Sequence, residues 1–363
     1  MLEDPSARLS DEDLMSLVSH IRSTTHSVGE SLVTGNLRSR GYHVSRERVR
    51  WALRSTDPLS SALRWPGGLT RRHPYSVAGP NSLWHIGKAT SLISCCFNAE
   101  VELLMSFFIS DGHHKLVRWK FVTHAGIDGY SRLIVYLKCS TNNRASTVYE
   151  LFLEAVLQYH LPSRVRSDQG LENIRVAQHM IEHRGAERNS IITGSSVHNQ
   201  RIERLWRDLH QSVTLLYYRL FYYLEQHDLL DPLCEKKLYA LHYVFVPRIN
   251  RSLTEFRHAW NHHRIRTAHH KSPHQLFTAG LLLLQHSQLT ALDFFEEVDQ
   301  SYGIDADGPE TYDEEGTVAV PQLNFQLDPA DYQRLCITVD PMSPSINYGI
   351  DLYEQAIQFI ESL

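Results

Sequence analysis

Two acids in the middle of the chain have the residue type and setting for metal chemistry. Asp168 follows Arg164-Val-Arg-Ser167, a short run with the character of a buried strand. Glu203 lies 35 positions further on, inside Gln200-Arg-Ile-Glu-Arg-Leu-Trp-Arg207, a segment with helical spacing. An acid at the C-terminal end of a strand and one on a later helix can converge on the same edge of an α/β sheet. Two converging carboxylates suit a hard divalent cation such as Mg2+. A third carboxylate from another strand would let the site hold a metal pair for phosphodiester chemistry.

The motifs around these acids are Ser167-Asp-Gln-Gly170-Leu-Glu172 and Asn199-Gln-Arg-Ile-Glu203-Arg204. They resemble the second and third acids of retroviral and transposon integrases, and in particular the integrase-core family of animal genomes. The resemblance extends over roughly residues 80 to 280. It implies an RNase H-like α/β core, a mixed sheet flanked by helices with the site at one edge. It also implies Asp111, Asp168 and Glu203 as catalytic and metal-binding acids, two Mg2+ or Mn2+ ions, and in-line cleavage and strand transfer of DNA. Asn199, Gln200, Arg201 and Arg204 flank the third acid and would position phosphates. Implied partners are DNA and further copies of the chain, the implied location is the nucleus, and no membrane association is expected. A different class of function stays open, a nucleic-acid-binding protein that keeps the fold without the chemistry.

The first acid is where the pattern departs. In the family a Trp-x-Ile run leads directly into it, whereas here Trp84-His-Ile86 leads into Gly87-Lys88, and Asp111 comes 24 residues later. Residues 87–110 are therefore an insert. Its opening Gly-Lys can be encoded by a splice-donor sequence, and its closing Phe-Phe-Ile-Ser by a pyrimidine tract ending in CAG. A retained intron open in frame and a lineage-specific insertion are the two explanations. Because Phe107-Phe-Ile-Ser-Asp111 is itself strand-like, it is able to replace Trp84-His-Ile86 in the same place, with that run then extruded as a loop or loose helix. The rival first acid is Asp128 in Asp-Gly-Tyr-Ser131-Arg132, for which turn capping is the expected role, since Asp-Gly favours tight turns.

The elements that must position these groups are legible in outline. Residues 1–56 read as a helical, helix-turn-helix-like DNA-binding region: Asp11-Glu-Asp13 opens one helix, Gly41 ends another, and Ser45 precedes an Arg-rich third. Arg46, Arg48, Arg50 and Arg54 of that third helix are the DNA-binding candidates. Residues 57–80 form a Pro/Gly/Ser-rich linker, 81–280 the core, and 281–363 an acidic C-terminal region. Within the core, strands are expected at 119–123, 133–137 and 164–167, a short strand or extended loop at 191–192, and helices at 145–160, 173–183 and, as one long helix or two joined ones, 197–227. Trp260-Asn-x-His263 and Ser272-Pro-x-Gln275 look like the last helix and closing motif of integrase cores.

Charge is uneven. The chain carries −5 overall, yet the 71 residues from Asp293 hold sixteen carboxylates and one base, leaving the other 292 at +10. A basic body with an acidic tail suits a polyanion-binding protein whose tail is solvated, screens the body or binds a partner. The five cysteines form no CxxC pair, which argues against a disulfide framework or a Cys-rich zinc module and fits a reducing compartment.

Overall fold

The computed structural model describes residues 9–25, 29–56, 77–88, 116–167, 170–185, 189–193, 200–286 and 320–363. Its centre is a five-stranded mixed sheet in the order β3-β2-β1-β4-β5. The strands are β1 (Trp84–Lys88), β2 (Val122–Asp128), β3 (Ile134–Ser140), β4 (Val165–Ser167) and β5 (Ile191–Thr193). β1 to β3 run antiparallel, while β4 and β5 run parallel to β1. β2 is buried at every residue, as expected of a strand covered on both faces.

Helices cover both faces. On one, α4 (Ala145–Tyr159) and α5 (Ile174–Arg184) close over Trp84, Ile86, Val135 and Val165 through Val148, Phe152, Val176 and Met180. On the other lie α6 (Gln200–Leu209), α7 (Leu215–Gln226) and α8 (Glu235–His262), the first two joined by a π-helical turn at His210–Thr214. Ile202, Leu205, Trp206 and Leu209 of α6 meet Ala125 and Ile127 of β2 there, so the apolar stripe of a strongly amphipathic helix sets which way α6 faces. α9 (Pro273–His286) begins with a reciprocal cap: Ser272 N–H donates to Gln275 Oε1 at 3.0 Å and Gln275 N–H to Ser272 Oγ at 3.2 Å. That is the physical content of the Ser-Pro-x-Gln motif.

The N-terminal part is α1 (Asp11–Thr24), α2 (Glu30–Ser39) and α3 (Arg46–Thr56) around Leu14, Val18, Ile21, Val33, Leu37 and Val49. Gly41, at φ +85°, ends α2 with Gly41 N–H on Arg38 O and Tyr42 N–H on Leu37 O. α2 crosses α8 so closely that a Cβ on Gly35 would strike the Ala259 carbonyl. Asn36 and Arg40 also hold Glu255 of α8, at 2.9 and 2.6 Å. These helices are thus bound to the core.

Three expectations are corrected. Trp84-His-Ile86 is not extruded: it forms the first three residues of the central strand, and Gly87-Lys88 of the insert completes it. Phe107 to Asp111 lies outside the described residues. Next, residues 119–121 are not strand. Leu116–Trp119 is a 3-10 turn and β2 starts at Val122, because Trp119 leaves the sheet to pack edge-on against Phe221 and Tyr222. Finally, part of the acidic region is built in rather than solvated. α10 (Pro329–Thr338) and α11 (Ile350–Glu361) place Leu335, Leu352, Tyr353, Ala356 and Ile360 in the same cluster as α8.

Candidate active-site edge

The parallel pairing of β1 with β4, Trp84 to Val165 and His85 to Arg166, sends both strands toward one edge of the sheet. Asp168 is the next residue after β4 in the chain, but Asp168, Asp111 and Asn199 all lie outside the described residues. Gln200 is the first residue of α6. Glu203 is half-buried on that helix, which packs against β1 and β2. Arg201 is half-buried, and Arg204 is 57% exposed and forms an ion pair with Asp208 at 3.6 Å. Burial pushes the Asp208 carboxyl up, opposed by Arg204 and Arg207.

Asp128 has the role of a turn staple. Its carboxylate, fully buried, accepts from Asn81 N–H at 2.9 Å, Ser131 N–H at 2.8 Å and the Ser131 hydroxyl at 2.6 Å. Burial pushes its pKa up to about 6, against these hydrogen bonds and the charge of Arg201, which favour the ionised form. The neighbouring motif is structural too. Trp260 Nε1–H donates to Arg132 O at 2.9 Å, and the Asn261 side chain accepts from Ile134 N–H at 2.9 Å and donates to Ile134 O at 3.1 Å. Trp-Asn-x-His therefore locks α8 onto the β2–β3 turn.

The group that sequence reasoning missed is Lys88. Its ammonium lies 2.7 Å from Glu172 Oε1, and both side chains are nearly closed to solvent, at 6% and 3% exposed. The approach is that of an ion pair rather than an aligned hydrogen bond. Glu172 Oε2 also accepts from Asn143 Nδ2 at 3.3 Å. Gly170 makes this rotamer possible, since a Cβ there would strike the Glu172 carboxylate, which folds back over the backbone. His124, paired with Lys88 in the β1–β2 register, is kept neutral: burial lowers its pKa to about 4, opposed by the Asn142 carbonyl and Glu172 and aided by Lys88. The available signal was a lysine in phase with an apolar strand, facing an acid spaced two residues after a glycine.

On α3, three of the four candidate arginines are paired within the N-terminal part. Arg46 and Arg50 both bind Glu30, Arg50 at 2.7 Å, and Arg48 holds Asp11 at 2.5 Å. Glu30 is raised by burial but held below its ordinary value by Arg50 and Arg46. Arg46 and Arg50 stay open to solvent along the pair, at 71% and 47%, and Arg54 and Trp51 are exposed on the same helix.

Metal fit can be judged on the described donors. Asp128 is consumed by three neutral donors and Glu172 by an ammonium ion. Among the described residues no group of three His, Cys, Asp or Glu side chains is placed to hold a metal ion. Neither the Asp128 nor the Glu172 carboxylate is open to a divalent ion.

No curated protein matches the chain. Among solved structures it is similar to a chain of the simian T-cell lymphotropic virus intasome in complex with the PP2A regulatory subunit B56 gamma, at 13% identity over 81% of this chain and 78% of that one. With a TM-score of 0.37, that likeness decides nothing. The family match is on firmer ground: a family described as Integrase core domain matches residues 99–291, more than half of the chain. With its mixed five-stranded sheet flanked by helices, RNase H-like in class, the chain belongs to the integrase core domain family.

Proposed function

We propose that this chain handles DNA as an integrase core of the polynucleotidyl-transfer kind, holding a duplex end against the edge formed by β1, β4 and α6. The observation that carries the reading is the convergence of β1 and β4 on one edge, with α6, bearing Glu203, Arg201 and Arg204, packed across β1 and β2. Asp111, Asp168 and Glu203 are the proposed acids and Mg2+ or Mn2+ the proposed ions. When bound, such ions would activate water or a DNA 3′-hydroxyl and stabilise the leaving oxygen. What the chain's own residues do is bind and orient: exposed Arg204, with Arg201, Asn199 and Gln200, would take phosphates, as would the open sides of Arg46, Arg50 and Arg54 on α3. The nucleus is the proposed location, and copies of the chain the proposed assembly on DNA. Among the described residues no helix is long and apolar enough to cross a membrane.

One observation favours a second reading, DNA binding without chemistry. β1 ends in Gly87-Lys88, and its lysine binds the acid that follows β4 in the Gly-x-Glu motif. A strand-transfer assay with labelled duplex ends and Mn2+ separates the two. Joined products that disappear in Asp111→Asn, Asp168→Asn and Glu203→Gln support transfer. Binding without products supports the second reading, and no binding at all overturns both.

A further inference from the structure

We infer that Lys88 is an internal counter-cation for Glu172, occupying the place at the β1/β4 edge that a metal ion would need and setting how tightly that edge takes a divalent cation. The inference rests on the reading of this edge as the site of DNA handling. It starts from chain geometry: β1 and β4 run parallel to the same edge, Lys88 ends β1, and Glu172 follows β4 by five residues. The two side chains meet at 2.7 Å in a region nearly closed to water.

Asn143 donates to Glu172 but carries no charge. His124 Nε2 is engaged at 3.2 Å with Ser140 Oγ and the Asn142 carbonyl, and burial keeps the ring neutral. A divalent ion seated on Glu172 would stand beside the ammonium and be repelled by it, in surroundings too dry to screen the two. To bind, the ion must displace Lys88. The lysine's length lets the head swing outward while the stem stays covered. Lys88 therefore weakens metal binding without blocking it, and removing its charge leaves Glu172 buried and unpaired, ready for a replacement cation.

The test uses the full chain with Mn2+ as probe, read by isothermal titration and by thermal shift. Wild type should bind Mn2+ weakly. Lys88→Gln should bind at least tenfold more tightly and gain a larger thermal shift from Mn2+, Lys88→Arg should behave as wild type, and Lys88→Gln/Glu172→Gln should lose the gain. A folded Lys88→Gln with wild-type affinity overturns the inference.

If Lys88→Gln does not fold, amine labelling of wild type followed by mass spectrometry decides. Lys88 protected in chelator and labelled as Mn2+ saturates supports the inference, while Lys88 still protected at saturation overturns it. Anisotropy with a labelled duplex in chelator runs in parallel. DNA binding with no gain of Mn2+ affinity in Lys88→Gln sinks the counter-cation alone, whereas the gain without DNA binding sinks the functional reading alone.

Discussion

Two buried acids beside the same sheet are stabilised by opposite means. At the β2–β3 turn, Asp128 is surrounded by neutral donors fixed in the backbone and on Ser131, so it is part of the fold. At the β1/β4 edge, Glu172 is balanced chiefly by one ammonium, so exchanging its partner means moving a single side chain. A network of fixed dipoles specifies geometry, whereas a single counter-ion only balances charge. By that difference the turn is scaffold and the edge is the place where an external cation or phosphate can intervene.

Breaking the ion pair from one side should have the largest effect. Glu172→Ala leaves the Lys88 ammonium buried without a counter-charge and should cost about 3–5 kcal/mol in chemical denaturation. Lys88→Met/Glu172→Met should recover most of that loss, since an apolar replacement of a buried pair is often neutral. Failure of the double variant to recover would mean that the edge is scaffold like the turn.

Asp128→Ala should cost about 3 kcal/mol, because Asn81 and Ser131 N–H are left unsatisfied in a closed site. No second substitution should rescue it. The pH dependence sharpens the contrast. With its folded pKa raised to about 6 from 3.8, Asp128 retains a proton that the unfolded chain has lost, so its contribution to stability falls as pH rises from about 4 to about 6. His124 and His242, both lowered to about 4, act in the opposite sense: their contributions rise with pH from about 4 to about 6.5. Stability of Asp128→Ala should therefore climb more steeply than that of wild type between pH 4 and 6, as followed by thermal unfolding.

Gly170→Ala should cost about 2 kcal/mol, less than Glu172→Ala, since the displaced carboxylate loosens the buried pair without removing its charge. It should also release Lys88, seen as faster amine labelling of that residue. Smallest is Glu30→Gln, which frees Arg46 and Arg50 on the exposed face of α3. Duplex affinity should rise a few-fold at low salt and converge with wild type at high salt.

Much of the core was legible because it depends on local periodicity. The helix at 145–160, the strand before Asp168 and the helix after Glu172 follow from apolar spacing that burial then confirms in Val148, Phe152, Val165 and Met180. Asp128 was legible as a turn residue because Asp-Gly and Ser131 are chain neighbours. The unread parts depend on contacts distant in sequence. The phase of Lys88 in an apolar strand signals burial but not that its partner is Glu172, 84 residues on, and Tyr353 and Ile360 enter the core against an apolar face of α8. Trp119 likewise left the sheet for aromatic partners a hundred residues away.

The central claim is that this integrase core handles DNA, and the salt dependence of duplex binding tests it most directly. Anisotropy of the full chain with a labelled duplex in chelator, from about 50 to 200 mM salt, should give a linear fall of log affinity with log salt, with a slope near −0.9 per phosphate neutralised. Arg204→Ala and Arg54→Ala should each make that slope shallower by about one. An affinity flat in salt, or no binding at the lowest salt, would contradict the account.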